Sequence, residues 1–250
     1  MSARSISWFR FSSPATFYHL AGKMVPWFSA IAVILIGVGL YMSLFVAPTD
    51  YKQGEGYRII FVHVPAAWMS MFIYVVMALW SGIGLVFNTR LSAMMAQALA
   101  PTGAMFTFLA LWTGALWGKP MWGAWWVWDA RLTSELILLF LYIGFIALQG
   151  AIDDNRRADR AGAILALVGV VNVPIIYYSV TWWNTLHQGA SVSISKGSSM
   201  GEVMLITMLI MTFGFWAYAI AVSLSRVRSI ILERDRETTW VSELPEMQVQ

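Results

Sequence analysis

Six stretches of this chain, at 25–47, 62–87, 98–117, 132–149, 161–180 and 202–225, run for about twenty residues with almost no charge. A helix needs roughly 20 apolar residues to cross the hydrocarbon core of a bilayer, so each stretch predicts a transmembrane helix. Polar breaks separate them. Pro48-Thr49-Asp50 and Gly54-Glu55-Gly56 end the first, and Asn88-Thr89-Arg90 ends the second. The charged run 153–160 divides the fourth from the fifth, and a Ser/Gly-rich stretch at 189–201 precedes the sixth. No second domain and no internal repeat is evident. The pattern predicts an all-α polytopic membrane protein with one six-helix domain over 1–250. That domain includes an N-terminal segment 1–24, a loop 118–131 between helices three and four, and a tail 226–250.

Composition agrees with the pattern: 59% of residues are hydrophobic and only 12% charged, where a soluble domain carries about a quarter charged. A net charge of +3, scattered along the chain, does not suggest nucleic acid. The basic residues are better read as topology signals. Arg4, Arg10, Lys23, Arg90, Arg156, Arg157, Arg160, Arg226, Arg228, Arg234 and Arg236 fall on one side of the predicted bundle. Lys52, Arg58, Lys119, Arg131 and Lys196 fall on the other. Positive residues collect on the cytoplasmic side, so both termini are expected there. The loops 48–61, 118–131 and 181–201 are then expected on the outer face. The apolar run from Val25 is too long for a cleavable signal peptide. With no cysteine, disulfides, thiolate metal sites and covalent c-type haem attachment to this chain are excluded.

The outer loops hold the chemistry. Trp117, Trp122, Trp125, Trp126 and Trp128 crowd into the twelve residues 117–128, and Asp129 follows directly. Tryptophan at a membrane interface is ordinary as an aromatic belt, but a belt spreads around a bundle, whereas these five share one loop. Such a loop suits something flat, apolar and partly polar. His63 precedes Val64-Pro65 at the expected outer start of helix two, and His187 follows the expected outer end of helix five. Proline is tolerated in a first turn, which fits that start for helix two. Two imidazoles at one depth could ligate a haem iron from opposite sides, with Arg58 and Arg131, and more weakly Lys119, as partners for its propionates. They could equally be interfacial polar residues. On residues alone both readings stay open. Blander roles are expected elsewhere. Asp129 is placed to cap helix four, Ser199-x-x-Glu202 to form a capping box, and Glu135 to pair with Arg131 four residues earlier. The methionines at 204–211 suit gap-filling packing, and His19 carries no role.

The segment Trp117-Gly-x-x-x-Trp122-Gly-x-Trp125-x-x-Trp128-Asp129 resembles the tryptophan-rich WWD signature of haem-handling proteins in cytochrome c biogenesis. With a histidine on either side, six helices and the box His63-Val-Pro-Ala-Ala-Trp68, the chain is similar to the cytochrome c maturation protein C (CcmC) family over nearly its whole length. The resemblance implies His63 and His187 as axial ligands of non-covalent haem b. It implies a haem-contacting role for Trp117, Trp122, Trp125, Trp126, Trp128 and Asp129. Asp50, Gln53, Arg58 and Arg131 are implied in propionate or chaperone interaction. It further implies a bacterial inner membrane with a periplasmic functional face. The implied partners are the haem chaperone CcmE, which carries haem on its own histidine, the ABC transporter subunits CcmA and CcmB, and the small membrane protein CcmD. The chain has no ATPase motif, and the role implied is binding and transfer of haem rather than catalysis.

Two other classes compete. A b-type cytochrome subunit that oxidises quinol would need histidines inside the helices, and helices three, four and six have none. A haem permease or other transporter would place polar or broken-helix sites near the midplane, and the predicted helix centres are almost free of ionisable residues.

Overall fold

A computed structural model describes residues 12–183, 185, 187, 192–193 and 197–244. Among them, six helical spans are long and apolar enough to cross a membrane. Helix α1 (Pro14–Tyr41) continues into a π-turn at Met42–Val46, and a 3-10 turn at Glu55–Ile59 leads into α2 (Ile60–Phe87). Then come α3 (Arg90–Trp122), α4 (Ala130–Ala151), α5 (Asn155–Gly169) and α6 (Asn172–Trp182). A two-residue hairpin, β1 (Val192–Ser193) with β2 (Gly197–Ser198), precedes α7 (Glu202–Arg234) and the short α8 (Thr239–Ser242). Arg4, Arg10 and Lys196, used in the charge argument, lie outside the described residues.

The helices overrun the expected boundaries, each for a local reason. Proline at the first helical position lets α1 start at Pro14, inside the expected N-terminal segment. Helix α3 starts at Arg90 instead of 98 and runs to Trp122, where Gly123 takes a left-handed φ of 77° and stops it. Trp117 and Trp122 are therefore helical, and the loop proper spans only 123–129. Helix α7 runs nine residues past 225 to Arg234, into the expected tail. The fifth span is two helices rather than one. Pro174 has no N–H and would clash with the carbonyl four residues back, so the chain breaks at Val170–Val171. Asn172 at the break donates from Nδ2 to Ser134 O at 2.8 Å, which ties it to α4.

Two expected local arrangements turn out differently. The N-cap of α7 is Gly201, which has no side chain to cap with, and not Ser199 as the expected box would require. Glu135 does not pair with Arg131: Ser70 Oγ donates to Glu135 Oε1 at 2.7 Å, and Arg131 Nη1 donates to Ile176 O at 3.1 Å.

Long apolar side chains such as Val33, Phe45, Val86, Phe140 and Val168 point outward, as a lipid-facing surface requires. Small residues inside let helices approach closely. A Cβ on Gly103 of α3 would fall 2.1 Å from Tyr142 Cζ of α4, so the tyrosine ring occupies the space the glycine leaves. At the arginine-rich end, several charges read as topology signals also tie the structure together. Arg234 forks onto Asp159 at 2.7 and 2.8 Å and reaches Gln97, Arg90 pairs with Asp235, and Arg228 lies 4.3 Å over the Tyr18 ring.

Candidate haem-type site at the histidine end

A cavity of about 580 Å³ opens where the start of α2, the end of α3, the start of α4 and the end of α6 meet. That volume is in the usual 300–1,000 Å³ range for small-molecule sites. Its wall includes His63, His187, Trp68, Trp117, Trp122 and Arg131, with Gln53 from the first loop. A small extension of about 40 Å³ continues between the two histidines towards Glu135. Among the described residues no group of three or more His, Asp or Glu is arranged to hold a bare metal ion. Two imidazoles on one apolar cavity suit a metal that brings its own equatorial donors.

Each histidine is held in the same way, by an oxygen behind it and an indole beside it. Helix α2 begins at Ile60, so His63 sits one turn inside the helix rather than at its start. Its Nδ1 lies 3.0 Å from Thr113 Oγ1 on α3. The threonine hydroxyl already donates to Leu109 O at 2.6 Å, so its oxygen must accept from the imidazole. That assigns the proton to Nδ1 and leaves the Nε2 lone pair for a ligand. Trp117 packs edge-on at 5.8 Å between ring centroids. Gly114 leaves room for the ring, since a Cβ there would come 3.0 Å from His63 Cε1.

His187 repeats the scheme. Its Nδ1 lies 3.4 Å from both Asp129 Oδ2 and Thr185 Oγ1. Thr185 donates its own proton to Asp129 Oδ2 at 2.5 Å, so both oxygens accept from Nδ1–H. Trp122 packs edge-on at 5.1 Å. Burial lowers the His187 pKa below 6.5, and although Asp129 pulls the other way the neutral ring is favoured. Burial would raise the Asp129 carboxyl, but the Leu132 N–H, the Thr185 hydroxyl and His187 together hold it below its ordinary value. Asp129 also caps α4, accepting from Leu132 N at 2.8 Å.

The other expected site residues divide into cavity wall, loop frame and outer surface. Gln53 accepts from Trp117 Nε1 at 2.8 Å, so the first loop anchors the indole that packs on His63. Asp50 shapes that loop by accepting from the Lys52 and Gln53 N–H groups at 2.9 and 2.8 Å. Arg58 lies outside the cavity wall and is bound to Glu55, Ser43 O and Ala47 O. Arg131 does line the cavity. Lys119 sits 5.9 Å over the Trp125 ring and donates to Gly123 O. Trp126 and Trp128 pack together at 5.4 Å outside the wall, and Trp128 is 77% exposed. The buried Trp126 Nε1 has no partner among the described residues. Sequence reasoning missed Thr113, Thr185, Gly114 and the α6 residues Tyr177 and Tyr178, which join the wall because α6 is broken away from α5.

The fold and site define a polytopic membrane protein with a histidine pair set in a tryptophan-lined cavity at one end of the bundle. The chain belongs to the CcmC family, described as heme exporter protein C, whose family model matches residues 7–242. It is 51% identical to heme exporter protein C of Escherichia coli K12 over 231 residues, covering 92% of this chain and 93% of the relative. Heme exporter protein C of Bradyrhizobium diazoefficiens is 50% identical, with 89% and 84% covered, and that of Paracoccus denitrificans 41%, with 92% and 95% covered.

Proposed function

We propose that this protein binds non-covalent haem b in the cavity at the histidine end and hands it to a partner during c-type cytochrome biogenesis. The observation that carries the reading is the matched pair of histidines. Both line one apolar cavity, and both have Nδ1 committed to a fixed oxygen. Neutral imidazoles with Nε2 free are what a six-coordinate haem iron needs. The indoles of Trp117 and Trp122 supply apolar packing, and Arg131 is the cation in the wall for a propionate. Arg58 is spoken for by its loop, so its part in this reading is to hold the first loop in place.

In the same reading, the exposed Trp125 and Trp128 form the surface offered to the receiving protein, the haem chaperone CcmE. Aromatic residues of this kind anchor interfaces. CcmA and CcmB, as an ABC transporter, and CcmD are the assembly in which the transfer takes place. The membrane is the bacterial inner membrane, and the site faces the periplasm. The family name and the charge asymmetry support this orientation.

The test is reconstitution. Haem-loaded protein in nanodiscs is mixed with purified CcmE, and haem leaving the first and arriving on the second is followed by absorption. The reading predicts transfer that Trp128→Ala slows while leaving the initial haem load unchanged. Haem lost to solvent at the same rate with and without CcmE would overturn it.

A further inference from the structure

The end of the bundle away from the histidines holds a second, larger cavity of about 820 Å³, between the end of α2 and the starts of α3 and α5, with α4 as a wall. We propose that it binds the headgroup of an anionic, hydroxyl-bearing phospholipid, a phosphatidylglycerol-type phosphodiester.

Charge comes first. Arg90, Arg156, Arg157 and Arg160 line the cavity against a single carboxylate, Asp159. Asp159 is taken by Arg234, and Arg90 is taken by Asp235. Among the described residues Arg156, Arg157 and Arg160 have no ion-pair partner. The start of α3 adds to the field. Its N-cap Thr89 makes no capping bond and spends its hydroxyl on Ser92 Oγ, so the first N–H groups of α3 stay open to an anion. The start of α5, by contrast, is already capped by Asp154.

Arginines at a headgroup surface are common and need no pocket. The cavity floor is what sets this place apart. Ser81 is 3% exposed, and among the described residues its hydroxyl has no partner. Gln149 Oε1 is likewise buried and without a partner among the described residues, although its Nε2 donates to Ala158 O at 3.1 Å. Both line the cavity, and buried polar atoms without partners are rare. An unpaired amide oxygen asks for a donor; a phosphodiester and a choline headgroup have none, and a glycerol headgroup has hydroxyls. The wall decides between a lipid and a soluble ester. Leu85 and Ile164 line the cavity and are apolar and exposed at 38% and 51%, which offers an acyl chain an apolar path beside the headgroup. Basic pockets between helices on an arginine-rich face are known lipid-headgroup sites in general.

The test uses the whole purified protein, delipidated in detergent and titrated with short-chain phosphatidylglycerol, phosphatidylcholine, glycerol 3-phosphate or inorganic phosphate. Binding is read by native mass spectrometry and thermal shift. Phosphatidylglycerol is expected to bind and stabilise, and the other three are not. Losing two arginines in R156Q/R160Q should weaken it about thirtyfold, at roughly one unit of surface-charge attraction per arginine. Ala93→Leu narrows the cavity with every charge in place, and should weaken phosphatidylglycerol by a similar factor. Ser81→Ala, the mildest change, should weaken it by a smaller factor and guards against misfolding of the others. Equal binding of phosphatidylcholine overturns the proposal, as does full affinity in Ala93→Leu and Ser81→Ala. Equal competition by glycerol 3-phosphate replaces the lipid with a soluble ester and overturns it too. Haem content does not enter these readouts.

Discussion

His187 Nδ1 lies 3.4 Å from Asp129 Oδ2, and the same carboxylate caps α4 through the Leu132 N–H. One side chain thus fixes both the entry of a helix and the tautomer of a cavity histidine. The final Asp of the tryptophan-rich motif is accordingly a positioning residue behind the cavity and makes no part of its wall. These two jobs can be separated.

Asn caps a helix about as well as Asp, whereas Ala costs about 1 kcal/mol. Asp129→Asn should therefore keep the melting temperature and weaken haem binding about 10–100-fold, the usual effect of losing a partner behind a metal ligand. Asp129→Ala should lose both. Thermal melts alongside haem titration distinguish the two. Equal haem affinity in Asn and wild type would remove Asp129 from the ligand scheme.

Thr113 plays the matching part for His63. Thr113→Val keeps the shape but offers no acceptor to Nδ1–H, and should weaken haem about 10–100-fold. Thr113→Ser should restore most of it. Titration of both variants with haem, read at the Soret band, checks the pair. A serine no better than valine would mean that Thr113 acts through packing.

Gly114 tests the space around His63, because an added Cβ would stand 3.0 Å from Cε1. Gly114→Ala should shift the haem spectrum modestly, and Gly114→Val should lower haem content further. Identical spectra in all three would show that the ring has another place to go.

The sequence announced the spans, the tryptophan cluster and the two histidines, because each is written in consecutive residues. Twenty apolar residues in a row mark a helix whatever surrounds them. The partners behind the histidines were not legible, since Thr113 is fifty residues from His63 and looks like any other threonine in a helix. Asp129 was legible as a cap, which is a local pattern, but not as a partner of His187, which depends on the chain after α6 folding back. The pairing of Glu135 with Arg131 failed for the same reason. Helical spacing allowed it, but Ser70 and Ile176, both remote in sequence, supplied the partners instead. Pro174 did carry the signal for the broken fifth span, and length alone concealed it.

In the proposed reading His63 and His187 together hold the haem, and the absorption spectrum of the purified protein reads that coordination out. Wild type is expected to carry a low-spin, six-coordinate spectrum, each single His→Gly variant an altered spectrum with less haem, and the H63G/H187G protein almost none. Full native haem content and an unchanged spectrum in the double variant would contradict it.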